Sequence, residues 1–261
     1  PGSTANTFVI AAGLASGLLE PRKIYDCEQG VMKVGHHVIR EAETDHKFGK
    51  LSVSEILASS SNVGASKIAF DVGSTQQREM LSLFGFGQKT GIDLAGESTG
   101  ILQDLPWHKH LQANISFGHG IAVTPLQVVA AYAAIANGGY LLKPFLLKKS
   151  RTGLESKELF AQVDRKVIDK TVAEKLTLML TMATSKGATG AQARVNGFPI
   201  AGKTGTAQRV NTEGKGYLQN AYLASFVGYF PVNDPQYVIY IAIDQPKKNY
   251  YGGTVAAPAF S

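Results

Sequence analysis

An α+β fold with an antiparallel sheet is what three observations predict. Helical spacing of apolar residues recurs from Ser3 to Gly139 and again over Val172 to Met182. Strand-like runs dominate the end of the chain, at 200–208, 221–231 and 237–243. The last two are joined by the turn Asn233-Asp234-Pro235, which makes them consecutive antiparallel neighbours. Helices first and strands last is the order of an α+β domain. No internal repeat, heptad run or low-complexity linker divides the chain, so residues 1–261 are read as one domain.

Phe8, Val9, Ala11, Ala12, Ala15 and Leu18 fall at helical spacing and Gly17 closes the pattern, which puts Ser3 at the start of a buried helix. A hydroxyl there either caps the helix or acts as a nucleophile beside free backbone N–H groups. Residues 24–50 read as irregular, with a short strand-like Val38-Ile39. His36, His37 and His46 lie in this stretch, but their spacing suits no metal site and none is expected.

Ser52-Val53-Ser54-Glu55 is a capping box that opens a helix running to Ser59-Ser60-Ser61-Asn62. Val63, Ala65, Ile68, Ala69 and Val72 mark the next helix. The four small polar residues between them read either as a solvated connector or as groups projected into a cleft. Gln76 to Phe84 is a further helix, and Thr90 to Gly100 a glycine-rich loop. Asn114 to Gly120 reads as a strand or turn leading into a helix that begins near Thr124-Pro125 and ends at Gly138-Gly139. His119, flanked by glycines, is either a turn histidine or a cleft residue. Leu141 to Phe160 holds short strands and a basic loop.

Composition narrows the function classes. With 44% hydrophobic and 18% charged residues the chain is an ordinary globular sequence, and disorder is excluded. The net charge of +6 is spread along the chain, so it leaves no nucleic-acid footprint. Cys27 is the only cysteine, which excludes an internal disulfide and a cysteine zinc site. No apolar run is long enough to span a membrane and the first residues are not a signal peptide. Pro1-Gly2-Ser3-Thr4 lacks an initiator methionine and runs straight into helical periodicity, so the chain is expected to be a piece of something longer.

Lys203-Thr204-Gly205-Thr206-Ala207 lies between the strand-like runs 198–202 and 221–230. A cation, two hydroxyls and a bare glycine along an edge strand suit an extended ligand ending in a carboxylate. Gly205 leaves room for another backbone to approach.

A serine opening a helix, Ser60-Ser61-Asn62 between helices and Lys203-Thr204-Gly205 on a late strand stand in one order. In this the chain resembles the penicillin-binding transpeptidases, whose signatures are Ser-x-x-Lys, Ser-x-Asn and Lys-Thr-Gly. The resemblance is to the class B, cell-division or elongation type. It extends to Thr90-Gly91-Ile92-Asp93-Leu94, Phe117-Gly118-His119-Gly120 and Tyr250-Tyr251-Gly252-Gly253, and so covers nearly the whole chain.

The resemblance implies a penicillin-binding/serine β-lactamase-like fold with an all-helical subdomain. It also implies peptidoglycan D,D-transpeptidation through an ester of Ser3, with no cofactor or metal, on stem peptides ending in D-Ala-D-Ala and blocked by β-lactams. Ser3 and Thr206 N–H groups would form the oxyanion hole. Lys203, Thr204 and Thr206 would hold the substrate carboxylate, with Gly205, Tyr251 and Gly252 completing the substrate site. Ser60 would relay a proton and Asn62 orient the substrate amide. The expected location is the outer face of the cytoplasmic membrane, through an anchor absent from the chain. Cell-wall synthesis partners would contact regions likewise absent.

Two departures stand out. The lysine expected three residues after the serine is Asn6, and an amide takes up no proton near neutral pH, so a slow or silent enzyme is expected. The helix and strands that the family places ahead of the serine are absent too, so the domain is expected to be incomplete at its N-terminus. The alternatives are a catalytically silent scaffold, favoured by Asn6, and a serine β-lactamase or β-lactam sensor domain.

Overall fold

A computed structural model describes residues 1–43, 45–152, 155–211 and 216–261. The chain begins with a single 3-10 turn, Gly2–Ala5, that runs into α1 (Asn6–Ala15). Every residue from Asn6 to Leu14 is buried, so α1 is a central helix, apolar on all sides. The stretch read as irregular holds four short strands: β1 (Ile24–Asp26), β2 (Val31–Val34), β3 (His37–Arg40) and β4 (Lys50–Ser52). They form two antiparallel pairs, β1 with β4 and β2 with β3. Strands of three or four residues are too short to show a period of two.

The capping box forms as read. Ser52 Oγ accepts from Glu55 N, Glu55 accepts from Ser52 N, and α2 (Val53–Ser59) follows. Then come α3 (Asn62–Val72), capped by Ser61, and α4 (Ser74–Leu83). No regular element occupies 90–100.

The expected strand or turn at 114–120 is corrected in its first half, because Asn114, Ile115 and Ser116 end a helix, α5 (Lys109–Ser116). His108 caps it, its Nδ1 accepting from Leu111 N. The turn itself is Phe117–Gly120, with Gly118 and Gly120 at positive φ. Thr124 and Gln127 make the capping box of α6 (Pro125–Ala136).

Beyond α6, β5 (Tyr140–Lys143) pairs with β8 (Gln162–Lys166), and β6 (Lys149–Thr152) with β7 (Glu155–Glu158). The amphipathic helix is α7 (Lys170–Ala183). The main sheet follows: β9 (Ala201–Val210), β10 (Tyr217–Phe230) and β11 (Tyr237–Asp244), antiparallel in the order β11-β10-β9. Phe198-Pro199-Ile200, read as strand, precede it: Val195 bridges Phe198 instead, and Pro199 has no N–H for a ladder. Part of the polar loop between β9 and β10 lies outside the described residues. The short α8 (Gly252–Val255) ends the list of regular helices.

Alternation along β10 divides two cores. Val227 and Tyr229 belong to the large cluster built with α1, α3, α6 and α7, whereas Phe226 packs with Ala193, Ile200, Ala256, Ala257 and Phe260. The antiparallel sheet and the helical part around α1 are the α+β arrangement expected. Among the described residues no helix is long and apolar enough to cross a membrane.

Candidate active site

The turn that carries Ser3 is wedged against β9. A Cβ at Gly2, where φ is +59°, would lie 2.9 Å from Thr206 N, and a Cβ on Gly205 would lie 2.7 Å from Pro1 O and 2.5 Å from Ser225 Oγ. The space left by the missing side chain of Gly205 is therefore filled by the chain's own Pro1–Thr4 turn. The sequence reading gave that space to an approaching backbone. It is taken internally, which locks Ser3 beside Thr206.

Tyr132 of α6 secures the turn from below. Its fully buried hydroxyl donates to Thr4 O at 3.1 Å and lies 2.8 Å from Thr7 Oγ1. Tyr132→Phe leaves both partners unmet in a dry site and is expected to cost about 1–3 kcal/mol, read as a shift in urea midpoint. Ser3 itself caps nothing: the turn has no side-chain cap bond, and the hydroxyl that bonds Pro1 O is that of Thr4. Capping, one of its two possible roles, is thus filled by neither Ser3 nor its surroundings.

Ser3 opens on a cleft of about 370 Å³ together with Glu41, Ser60, Thr204, Thr206 and Tyr251. The tetrapeptide 59–62 divides its work. Ser59 and Ser60 line the cleft, Ser61 is buried as the cap of α3, and the Asn62 amide donates to Arg40 O at 2.9 Å. Ser60 closes α2 at φ 63°, ψ 34°, a left-handed conformation that costs a serine about 1–3 kcal/mol and needs outside support.

Lys203 is fully buried, and its Nζ donates to Ser60 Oγ at 2.6 Å and to Thr204 O at 3.2 Å. Among the described residues no carboxylate pairs with it. Burial alone lowers its pKa to about 7. Thr204 Oγ1 donates to Thr189 Oγ1 at 3.2 Å, and Thr206 Oγ1 accepts from Gly252 N at 3.0 Å. Tyr250 stacks on Tyr222 at 4.2 Å and lies 4.4 Å from Tyr251, whose hydroxyl is pushed up in pKa by burial.

Asn6 lies one turn after Ser3 and is fully buried. Its Nδ2 donates to Ser116 O at 3.1 Å, and its Oδ1 has no hydrogen-bond partner among the described residues. A buried acceptor left unmet costs about 1–3 kcal/mol. His119 does not line the cleft. Its ring meets Phe117 and Tyr217 edge to face, and burial lowers its pKa to about 4, so it is neutral.

Glu43, Asp45 and His46 are the one group among the described residues with ligand atoms within 4.8 Å, as a cation would need. His46 there is already 3.2 Å from Glu43, and nothing else points to an ion.

Reading the sequence missed Glu41, Thr189 and Tyr132. Thr189 lies between Gly187 and Gly190, which mark only the end of a helix, and Tyr132 is one apolar position among several on α6. Glu41 stood in the irregular stretch with no pattern to mark it.

Frame and cleft together are those of penicillin-binding proteins. Penicillin-binding protein 3 of Mycobacterium tuberculosis, solved in complex with aztreonam, superimposes with a TM-score of 0.91 at 31% identity, covering 100% of this chain and 60% of that one. The transpeptidase domain of Burkholderia pseudomallei penicillin-binding protein 3 gives 0.87 at 30% identity, covering 100% and 76%.

Among curated relatives, Stage V sporulation protein D of Bacillus subtilis is 36% identical over 99% of this chain and 40% of its own length. Peptidoglycan D,D-transpeptidase FtsI of Buchnera aphidicola is 35% identical over 99% and 44%. The chain thus spans about two-fifths of the length of these relatives. It belongs to the penicillin-binding protein transpeptidase domain family, which it matches over residues 1–261.

Proposed function

We propose that the chain carries the acylation site of a class B peptidoglycan D,D-transpeptidase, impaired at its general base. The observation that carries this is the seat of Ser3: a cleft-lining serine on a turn packed against an edge strand whose fully buried Lys203 bonds Ser60.

In this reading Ser3 Oγ attacks the carbonyl carbon between two terminal D-alanines of a stem peptide. The oxyanion meets the N–H groups of Ser3 and Thr206. Lys203, Thr204 and Thr206 receive the terminal carboxylate, the last two as hydroxyl donors, with Tyr251 and Gly252 beside them. The C–N bond breaks and the departing D-alanine amine takes, through Ser60, the proton that the Ser3 hydroxyl gives up. Asn62 is assigned to the substrate amide, which requires its own amide to leave Arg40 O. An acceptor amine then attacks the ester, releasing Ser3 and leaving a new peptide cross-link. A β-lactam enters as a donor mimic and stays attached. We place this chemistry on the outer face of the cytoplasmic membrane, within a longer membrane-anchored protein whose other regions meet its cell-wall partners.

Asn6 fits this reading as a defect. Its amide can neither take the Ser3 proton nor pass one on. Incubated with a penicillin, the chain is expected to gain the mass of one opened lactam over hours, on the peptide containing Ser3, and Ser3→Ala to gain none. Attachment elsewhere would refute the assignment, and rapid release of hydrolysed penicillin would make the domain a β-lactamase. Asn6 also favours a second reading, a silent binding homologue. That reading predicts reversible penicillin binding, and no adduct even in Asn6→Lys.

A further inference from the structure

Glu41 is a buried acid that the proposed chemistry leaves unused. It follows β3 directly and is only 6% exposed. Its partners are the donors of a single turn. Ser61 Oγ donates to Oε1 at 2.6 Å and Asn62 N donates to Oε2 at 2.6 Å, while the neighbouring Arg40 O accepts from Asn62 Nδ2 at 2.9 Å. Desolvation pushes the carboxyl's pKa up, and the bonds from Ser61, Asn62 N and Val63 N pull it back. A carboxylate with a donor on each oxygen is the right group here, because a neutral amide has only one acceptor oxygen to offer.

The residue just before this clamp is Ser60. On its upstream side it is tied to the last turn of α2, with the Ser60 and Ser61 N–H groups both reaching Ile56 O. On its downstream side Ser61 caps Gly64 N at 3.0 Å, and that cap is itself held in place by Glu41. Left-handed φ, ψ in a serine persists only when both flanks are fixed. Without Glu41 the Ser61 hydroxyl and the Asn62 N–H lose their anchor, the backbone bonds of Ser61 to Ile56 O and of Ala65 to Ser61 O are left to hold the turn, and Ser60 is freer to relax and turn its hydroxyl from Lys203 Nζ.

We propose that Glu41 is a positioning residue: its carboxylate pins Ser61 and Asn62 so that Ser60 stays left-handed, with its hydroxyl aimed at Lys203. The geometric part stands by itself, and the kinetic part rests on the transpeptidase reading.

Two measurements test it. The first is the ¹³Cα and ¹³Cβ chemical shifts of Ser60 in this chain and in Glu41→Gln, which report the left-handed conformation without any activity. The left-handed signature is expected to be lost in Glu41→Gln, and its retention overturns the proposal. Should that variant fail to fold, Glu41→Asp, which keeps the charge but falls one methylene short, carries the same measurement.

The second is penicillin acylation in the Asn6→Lys background. Glu41→Gln is expected to slow the covalent step about tenfold, the size of one lost charge-assisted hydrogen bond, with little change in initial binding. In Ser60→Ala it should slow nothing further. An equal loss in Ser60→Ala would show that Glu41 does not act through Ser60. If Asn6→Lys with Glu41 intact is not acylated at all, the transpeptidase reading fails, while the Ser60 shifts still decide the role of Glu41.

Discussion

Asn6→Lys is expected to raise the rate at which penicillin acylates Ser3 by roughly 10² to 10⁴-fold, the usual worth of a general base. The position is prepared for it. Asn6 lies on the same face of the helix as Ser3, one turn on, and is fully buried. Ser116 O, which accepts from the Asn6 amide, can accept from an ammonium as readily. A buried lysine there loses charge easily, because desolvation disfavours the protonated form. The rate is followed by intact mass against time for both chains. Equal rates would show that another group takes the Ser3 proton. The structure names the group to test next, since Lys203 bonds Ser60 and has a pKa lowered to about 7. In that case the rate should rise with pH through 7, and the rise should disappear in Lys203→Met.

Lys203 also makes the stability of the domain depend on pH in a direction opposite to that of a paired lysine. Its ordinary pKa of 10.5 is lowered to about 7 in the fold by burial. Between those values the unfolded chain binds a proton that the folded chain does not, so stability rises with pH. The slope is at most about 1.4 kcal/mol per pH unit, and the contribution is flat below 7. Over two units this is up to about 3 kcal/mol, a large share of the stability of a typical domain. Urea unfolding of the chain and of Lys203→Met at pH 7, 8 and 9 isolates it, because other titrating groups cancel in the difference. The gap should move steadily in favour of the lysine chain. A constant gap would mean that Lys203 keeps its proton, held by a partner as strong as the burial.

How much of this was legible in the sequence depends on the range of the interactions. The capping box at Ser52/Glu55 is a local device within four residues and formed where it was read; the helix start near Thr124-Pro125 was equally local, though its capping box with Gln127 came only with the structure. The strands β9, β10 and β11 are long enough to be read as strands, and β10 pairs with β11 as the turn between them implied. β1 to β4 have three or four residues each; Val38-Ile39 of β3 was read as strand-like, but its partner β2 was not, and the pairing of β1 with β4, such as Ile24 with Ser52, joins distant stretches that nothing local marked. α5 was hidden because its polar start, Lys109-His110, looks like loop and its cap is a histidine.

In the site, part of the cleft lining was legible, while Asn6, Asn62, Lys203, Gly205 and Gly252 do not line the cleft and their environment was not legible. Ser3, Ser60, Thr204 and Thr206 were singled out from the sequence, and the structure brings them to one cleft. The complete burial of Lys203, the left-handed Ser60 and the orphaned Asn6 oxygen are products of packing from elsewhere in the chain. A lysine is among the residues least often found buried, so no sequence rule would have placed it there. Glu41 reaches a turn 20 residues away, and only the folded chain shows the two together.

The groups assigned to hold a ligand's carboxylate stand on β9, while position 6, where the resemblance expects a proton acceptor, belongs to α1. Recognition and reaction are therefore carried by different elements, and a change in one leaves the other standing. In the transpeptidase reading, a domain with asparagine at position 6 is a receptor that holds its donor and turns it over slowly. In that reading, crystals of such a chain soaked with a stem peptide for a time short against acylation are expected to hold the donor before the ester forms, laid along the edge of β9.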